Sequence, residues 1–357
     1  MAGPAPSVFT FMAVLRHSGV LLLALTACTR AVDPVPTAPP PPIVLSAPPP
    51  TSAAPVDPKL MPDEAVGPLI ERLSEKPGDF PSENYVSNEL SLLDVASDLR
   101  TPALKGRAYV GVGPEQNYTY LGILEPKVAY VVDIRRGNLL EHMFFRGCFE
   151  KAKTPAEFVE ALFDDDVART KAVMDRLGVA HSKDDDKALA RIQAAFAKQR
   201  LGIAYSMLAN GRTYPTLGEM LALDGSFTKS DDAYARVRKL VVENRVIPIV
   251  GDFGGKHALR AVGDDMRARG LLLGVFYTSN VEQYLFDGKT HLTFLESVKA
   301  MPRDEESRIV RVWFDQGRAH PAQRPKIRTT QLVMKTNAFV EGAPYKSYWD
   351  LATRRSP

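Results

Sequence analysis

Short apolar runs alternate with helix-forming stretches along most of this chain, and that alternation narrows the fold more than any other feature. Gly106-Arg107-Ala108-Tyr109-Val110-Gly111-Val112-Gly113 reads as a buried strand entering a glycine turn, and Val128-Ala129-Tyr130-Val131-Val132-Asp133 as a second strand ending in an acid. Between them Pro114 suits a first helical turn, where its missing N–H is not needed, and Glu115 complements the positive end of the helix dipole. A helical stretch runs from Leu139 to about Glu150. The rhythm resumes with Val246-Ile247-Pro248-Ile249-Val250-Gly251-Asp252-Phe253, a helix from about Lys256 to Arg269 closed by Gly270, the apolar run from Leu271 to Tyr277, and strands around Ile309–Phe314 and Leu332–Phe339. Strands separated by helices pair in parallel with helices over the sheet faces, so an α/β fold is expected.

Two stretches break the rhythm. Residues 151–245 read as a helical insertion, with Thr154-Pro155-Ala156-Glu157 and Thr216-Leu217-Gly218-Glu219 as capping-box patterns. The triplets Asp164-Asp165-Asp166 and Asp184-Asp185-Asp186 fall where first helical turns favour acids and match no EF-hand spacing, so no metal site is expected. The first sixty residues read as address and tether. Arg16 and His17 precede Val20-Leu21-Leu22-Leu23-Ala24-Leu25, a run far short of the roughly 20 residues of a spanning helix and suited to a signal peptide over residues 1–27. Leu25-Thr26-Ala27-Cys28 resembles the bacterial lipobox, whose cysteine is acylated and becomes the mature N-terminus. That resemblance implies a cell-envelope protein anchored to the lipid bilayer through Cys28, and Thr29 in place of an aspartate favours the outer membrane. Residues 28–62, with Pro39-Pro40-Pro41-Pro42 and Pro48-Pro49-Pro50, should form a disordered, extended linker. At about 3.1 Å per residue such a tether reaches on the order of 100 Å. The α/β domain then occupies residues 63–357.

Composition removes several function classes. Lys+Arg 45 against Asp+Glu 42 leaves +3, too near balance to demand a nucleic-acid partner. Two cysteines, Cys28 and Cys148, exclude a disulfide scaffold and a cysteine-rich zinc module, and Cys148 reads as a buried thiol. Serine-hydrolase and zinc-protease signatures are absent, and Gly251-Asp252-Phe253-Gly254-Gly255-Lys256-His257 is one residue short of a phosphate loop, with no Ser or Thr for magnesium.

What remains is the mouth of the sheet. Gly111 and Gly113 let a ligand approach the backbone closely, and Asp133, 22 residues after Gly111, sits where a carboxylate can accept from both ribose hydroxyls. Gly-x-Gly followed by Gln116 is not the full dinucleotide fingerprint, and Pro114 removes a donor that a pyrophosphate would use, so a nucleoside without phosphates suits the turn better. Tyr277, Ser279, Asn280, Glu282 and Gln283 form a polar cluster directly after an apolar strand. Such residues orient a substrate, with Glu282 placed to accept a proton, or they cap a loop-to-helix junction.

Val110-Gly111-Val112-Gly113-Pro114-Glu115-Gln116-Asn117, Val132-Asp133-Ile134-Arg135-Arg136, Val250-Gly251-Asp252-Phe253 and Tyr277-Thr278-Ser279-Asn280-Val281-Glu282-Gln283-Tyr284 together resemble a bacterial lipoprotein family whose fold is similar to class I S-adenosylmethionine-dependent methyltransferases. The likeness spans roughly residues 80–342. It implies a methyltransferase-like, Rossmann-like three-layer sandwich with a helical insertion, and S-adenosylmethionine as cofactor. By that likeness Gly111 and Gly113 line the methionine side with Glu115, Gln116, Asn117 and Arg135 nearby, Asp133 holds the ribose, and Asp252 faces the adenine or the substrate. Asn84-Tyr85-Val86-Ser87-Asn88-Glu89 is expected to close over the crevice, with Asn84, Tyr85, Asn88, Glu89, Ser279 and Gln283 on the substrate and Tyr277, Asn280 and Glu282 as catalytic residues. The sulfonium is an activated donor, so the site need only align a nucleophile and exclude water. An envelope address, where S-adenosylmethionine is not expected to be supplied, favours an alternative: a non-catalytic envelope module that has lost methyltransferase activity and binds a small molecule or an envelope partner.

Overall fold

Six strands join in the order β3-β2-β1-β4-β5-β6, parallel from β3 through β5, with β6 antiparallel to β5. The computed structural model describes residues 60–164, 166–205 and 214–354. The expected signal peptide, Cys28 and all but the last three residues of the proline-rich linker lie outside the described residues. Helices α1 (Val66–Leu73) and α2 (Ala96–Leu99) precede β1 (Ala108–Gly111), which is followed by α3 (Gln116–Leu124), β2 (Val128–Asp133) and α4 (Arg136–Lys151). The stretch expected to be a helical insertion holds α5 (Pro155–Leu162), α6 (Val167–Arg176), α7 (Lys183–Gln199), α8 (Leu217–Leu221) and α9 (Asp231–Val242). Then come β3 (Val246–Val250), α10 (Ala258–Ala268), β4 (Leu273–Ser279), α11 (Val281–Asp287), α12 (His291–Ala300), β5 (Arg308–Phe314), β6 (Thr329–Lys335), α13 (Thr336–Glu341) and α14 (Tyr348–Thr353). This is a mixed α/β fold built on a six-stranded, mostly parallel sheet.

Every residue of β2 is buried, as expected of a parallel strand covered on both faces. Pro248 is tolerated in β3 because β3 is an edge strand, where one row of N–H groups has no ladder to join. The last strand differs from expectation. It begins at Thr329 and gives way to α13 at Thr336, whose N–H donates to the Ser307 carbonyl. Its direction reverses because no crossover helix separates it from β5, and a loop alone returns the chain antiparallel.

The inserted helices share the main core. Phe149 of α4 packs on Phe158 of α5 at 4.3 Å between ring centroids, on Tyr234 of α9 at 5.6 Å and on Tyr118 of α3 at 4.9 Å. Caps set the helix starts. The Ser182–Asp185 and Thr216–Glu219 pairs form reciprocal capping boxes, whereas Thr154 receives the Glu157 N–H and the Glu157 carboxylate turns instead to the Lys153 N–H. Asp184, Asp185 and Asp186 lie in the first turn of α7 and Asp166 caps α6. Among the described residues no His, Cys, Asp and Glu group has the arrangement to hold a metal ion, and no helix is long and apolar enough to cross a membrane.

Candidate functional site

From β1 the sheet grows in two directions, through β2 and β3 on one side and through β4 to β6 on the other. Loops leaving the carboxyl ends of β1 and β4 therefore diverge, and open α/β sheets hold ligands in the crevice this creates. A cavity of about 1160 Å³ opens there, lined by Val112-Gly113-Pro114 after β1, Asp133 at the end of β2 with Ile134 and Arg135 beyond it, Gly251-Asp252-Phe253 after β3, and Ser279 at the end of β4 with Asn280 beyond it.

The turn after β1 is built from within. Asn117 Nδ2 donates to the carbonyls of Val112, Gly113 and Pro114 at 3.0, 2.9 and 2.8 Å, and its Oδ1 accepts the Tyr109 hydroxyl at 2.8 Å. A Cβ on Gly111 would stand 2.2 Å from that Oδ1. Gly111 and Asn117, expected to line the cofactor, are instead consumed in shaping the turn. Gly113 does line the crevice, in a left-handed conformation with φ +80°. Its carbonyl also meets Nε2 of His142 at 3.0 Å, while Nδ1 of His142 lies 2.9 Å from the Tyr118 hydroxyl. Burial lowers the His142 pKa to about 4, so the neutral ring donates to Gly113 and accepts from Tyr118. Gln116 lines the crevice. Its Nε2 donates to the Val112 carbonyl at 3.2 Å and the Tyr277 oxygen at 3.3 Å, and its buried Oε1 has no hydrogen-bond partner. Glu115 does not line it: both carboxylate oxygens accept the Ser87 N–H, at 3.2 and 3.1 Å, and burial pushes its pKa up to about 8.

Asp133 and Arg135 reach the crevice as an ion pair. The Asp133 carboxylate accepts the Arg135 N–H at 2.9 Å, Nε at 3.2 Å and the terminal guanidinium nitrogen at 3.3 Å. Asp252 accepts the Gly254 N–H at 2.8 Å, and its own N–H donates to Glu75 at 2.7 Å.

The segment expected to close over the crevice is a fixed wall. Glu89 Oε2 accepts the Tyr277 hydroxyl at 2.6 Å and Gln331 Nε2 at 2.7 Å, and Oε1 accepts the Ser279 hydroxyl. Ser91 bonds Thr329 at 2.7 Å and the Tyr120 hydroxyl donates to the Leu92 carbonyl at 3.0 Å, so α3, β4 and β6 all grip the segment. Asn84, Asn88 and Glu89 line the cavity; Tyr85 packs instead on Phe196 of α7, with ring centroids 6.4 Å apart.

The three expected catalytic residues are not assembled. Asn280 lines the crevice, whereas Tyr277 lies buried behind its wall. Glu282 is sealed in the core, 2.8 Å from Nε of Arg311, with both side chains at most 2% exposed. Gln283 borders a separate shallow pocket with Trp313, Tyr348 and Trp349. Tyr277 and Ser279 belong to β4, Asn280 precedes α11, and from Val281 each step along α11 turns the side chain by about 100°, so the cluster that is contiguous in sequence is divided among three environments. Cys148 is buried, as expected, and burial pushes its thiol up to about 12. Sequence reasoning missed Tyr205 and Thr216 from the insertion and Lys326 and Arg328 from the loop between β5 and β6, which complete the lining, and Gln331, which holds Glu89 from behind.

Residues 85–341 match a family described as "Domain of unknown function (DUF7790)". No curated protein matches the chain. Among solved structures, the rRNA methyltransferase aviRa from Streptomyces viridochromogenes is similar over 79% of this chain and 95% of its own, at 14% identity and a TM-score of 0.35. At that score the likeness bears on neither activity nor substrate.

Proposed function

We propose, for a chain that belongs to the DUF7790 family, that the crevice binds S-adenosylmethionine or a related nucleoside and that methyl transfer to an acceptor held in the same cavity is its activity. The observation that carries this reading is the meeting, at the point where strand order reverses, of the left-handed Gly113 turn and the Asp133 carboxylate in one cavity. The residues present fit such a ligand. Asp133 and Arg135 would hold the ribose edge, Asp252 and Phe253 the base, and the Gly113 backbone the amino-acid side, while Gln116 Oε1 offers an unfilled acceptor. When bound, the sulfonium supplies an activated methyl group; the protein's part is to orient an acceptor and keep water out, with Val112, Phe253 and Leu285 as apolar lining.

A second reading, an exported binding module without turnover, is favoured by the burial of Glu282 against Arg311, which removes the expected proton acceptor from the crevice. Anchoring to the envelope through acylated Cys28 belongs to both readings. Isothermal titration of S-adenosylmethionine and S-adenosylhomocysteine into the full chain tests the site. Asp133→Ala should weaken either ligand by about tenfold or more, as expected when a charged hydrogen-bond partner is lost. A folded protein that binds neither ligand sinks the nucleoside reading.

A further inference from the structure

We propose that Glu89 is the counter-ion of a positively charged centre in the crevice ligand, which on the reading above is the sulfonium. The acids around the cavity differ in how they are balanced. Asp133 is paired with Arg135, and Asp252 is only half-buried and holds a backbone N–H. Glu89 is 2% exposed, lines the cavity, and is held by a tyrosine hydroxyl, a serine hydroxyl and a glutamine amide, all neutral. No Lys, Arg or His pairs with it among the described residues. A carboxylate withdrawn from water without an opposite charge is costly, and neutral dipoles offset only part of that cost.

The pattern of unfilled positions points the same way. Oε2 of Glu89 accepts two hydrogen bonds and Oε1 accepts one, so Oε1 keeps acceptor capacity. Gln116, one hydroxyl away through Tyr277, leaves its Oε1 unpartnered, and so does Gln331, whose amide nitrogen is spent on Glu89. This wall therefore has spare acceptors on two lining side chains, Glu89 of the 84–92 segment and Gln116 of α3, with Gln331 of β6 packed behind Glu89. Its complement is a donor or a cation, not an anion. Burial raises the Glu89 carboxyl above its ordinary range against the pull of Ser279, Tyr277 and Gln331, a penalty that an adjacent cation relieves.

The inference rests on the nucleoside reading for its ligand, and the experiment separates the two. The full chain and its Glu89→Gln and Glu89→Asp variants are titrated with S-adenosylmethionine, with S-adenosylhomocysteine, which lacks the sulfonium charge, and with sinefungin, which carries an amine in its place. Wild type should prefer the two cationic ligands by about tenfold, within the coupling range of close charge pairs. Glu89→Gln should erase the preference by weakening the cationic ligands while S-adenosylhomocysteine binding holds, and Glu89→Asp should restore part of it. Equal weakening of all three, or an unchanged preference, overturns the proposal. If wild type binds no nucleoside, trimethylsulfonium alone is followed by saturation-transfer NMR. Contact with wild type that Glu89→Gln abolishes keeps the cation site and discards the nucleoside; no contact discards both.

Discussion

A carboxyl sealed against a neighbouring backbone, as Glu115 is against Ser87, holds its proton more tightly than it does in the unfolded chain. Its pKa rises from 4.5 to about 8 through burial, with the Ser87 N–H opposing the shift. The folded state thus binds the extra proton, so the stability Glu115 contributes is full below its unfolded pKa and is lost as pH rises through about 8. The difference is on the order of 5 kcal/mol. Urea midpoints measured between about pH 5 and pH 9 should fall with rising pH. In Glu115→Gln, which keeps an oxygen for Ser87, the fall should be shallower, and a midpoint that falls as steeply as in wild type rejects this account. Residue types were the legible part of the site at this scale. Acids, glutamines and glycines near strand ends could be picked out, but whether Gly111 faced a ligand or Asn117 was decided by a side chain six positions along, through a contact that spacing does not encode.

At the scale of elements, apolar runs located the strands well because a strand covered on both faces must be apolar throughout, and Val128–Asp133 is bounded as its sequence suggested. Facing was the part that did not transfer. The residues around the end of β4 looked like one polar cluster, yet the start of α11 sends Glu282 to Arg311 and leaves Asn280 on the crevice. Glu282→Ala strands a buried guanidinium and should destabilise the fold by about 3–5 kcal/mol. The pair Glu282→Leu with Arg311→Met should recover most of that stability, because hydrophobic replacement of both partners removes the stranded charge. Urea unfolding reads both effects. Nucleoside affinity, measured by titration on the double variant, should stay within about twofold of wild type, a difference well under 1 kcal/mol; a loss as large as that expected for Asp133→Ala returns Glu282 to the site.

For the whole molecule, the crevice collects residues from Asp79 to Thr329, so no single stretch of sequence announces it. The same holds for charge: a chain near balance overall still places Lys326 and Arg328 on the lining, beyond the acids at the ends of β2 and β3. Cys28 lies outside the described residues, and its role is a matter of chemistry at one thiol. If the lipobox resemblance holds, cells fed an alkyne-tagged fatty acid should label the wild-type chain, and Cys28→Ala should abolish the label. Cys148 cannot substitute, because it is buried and its thiol is pushed up to about 12, leaving almost no thiolate at neutral pH. Label retained in Cys28→Ala, or absent from both proteins, removes the anchor, and with it the conflict between an envelope address and an S-adenosylmethionine supply. Loss of label keeps that conflict in force. It then favours the binding module over the enzyme unless a nucleoside reaches the domain from outside the cytoplasm, a choice that nucleoside titration and acylation must decide together.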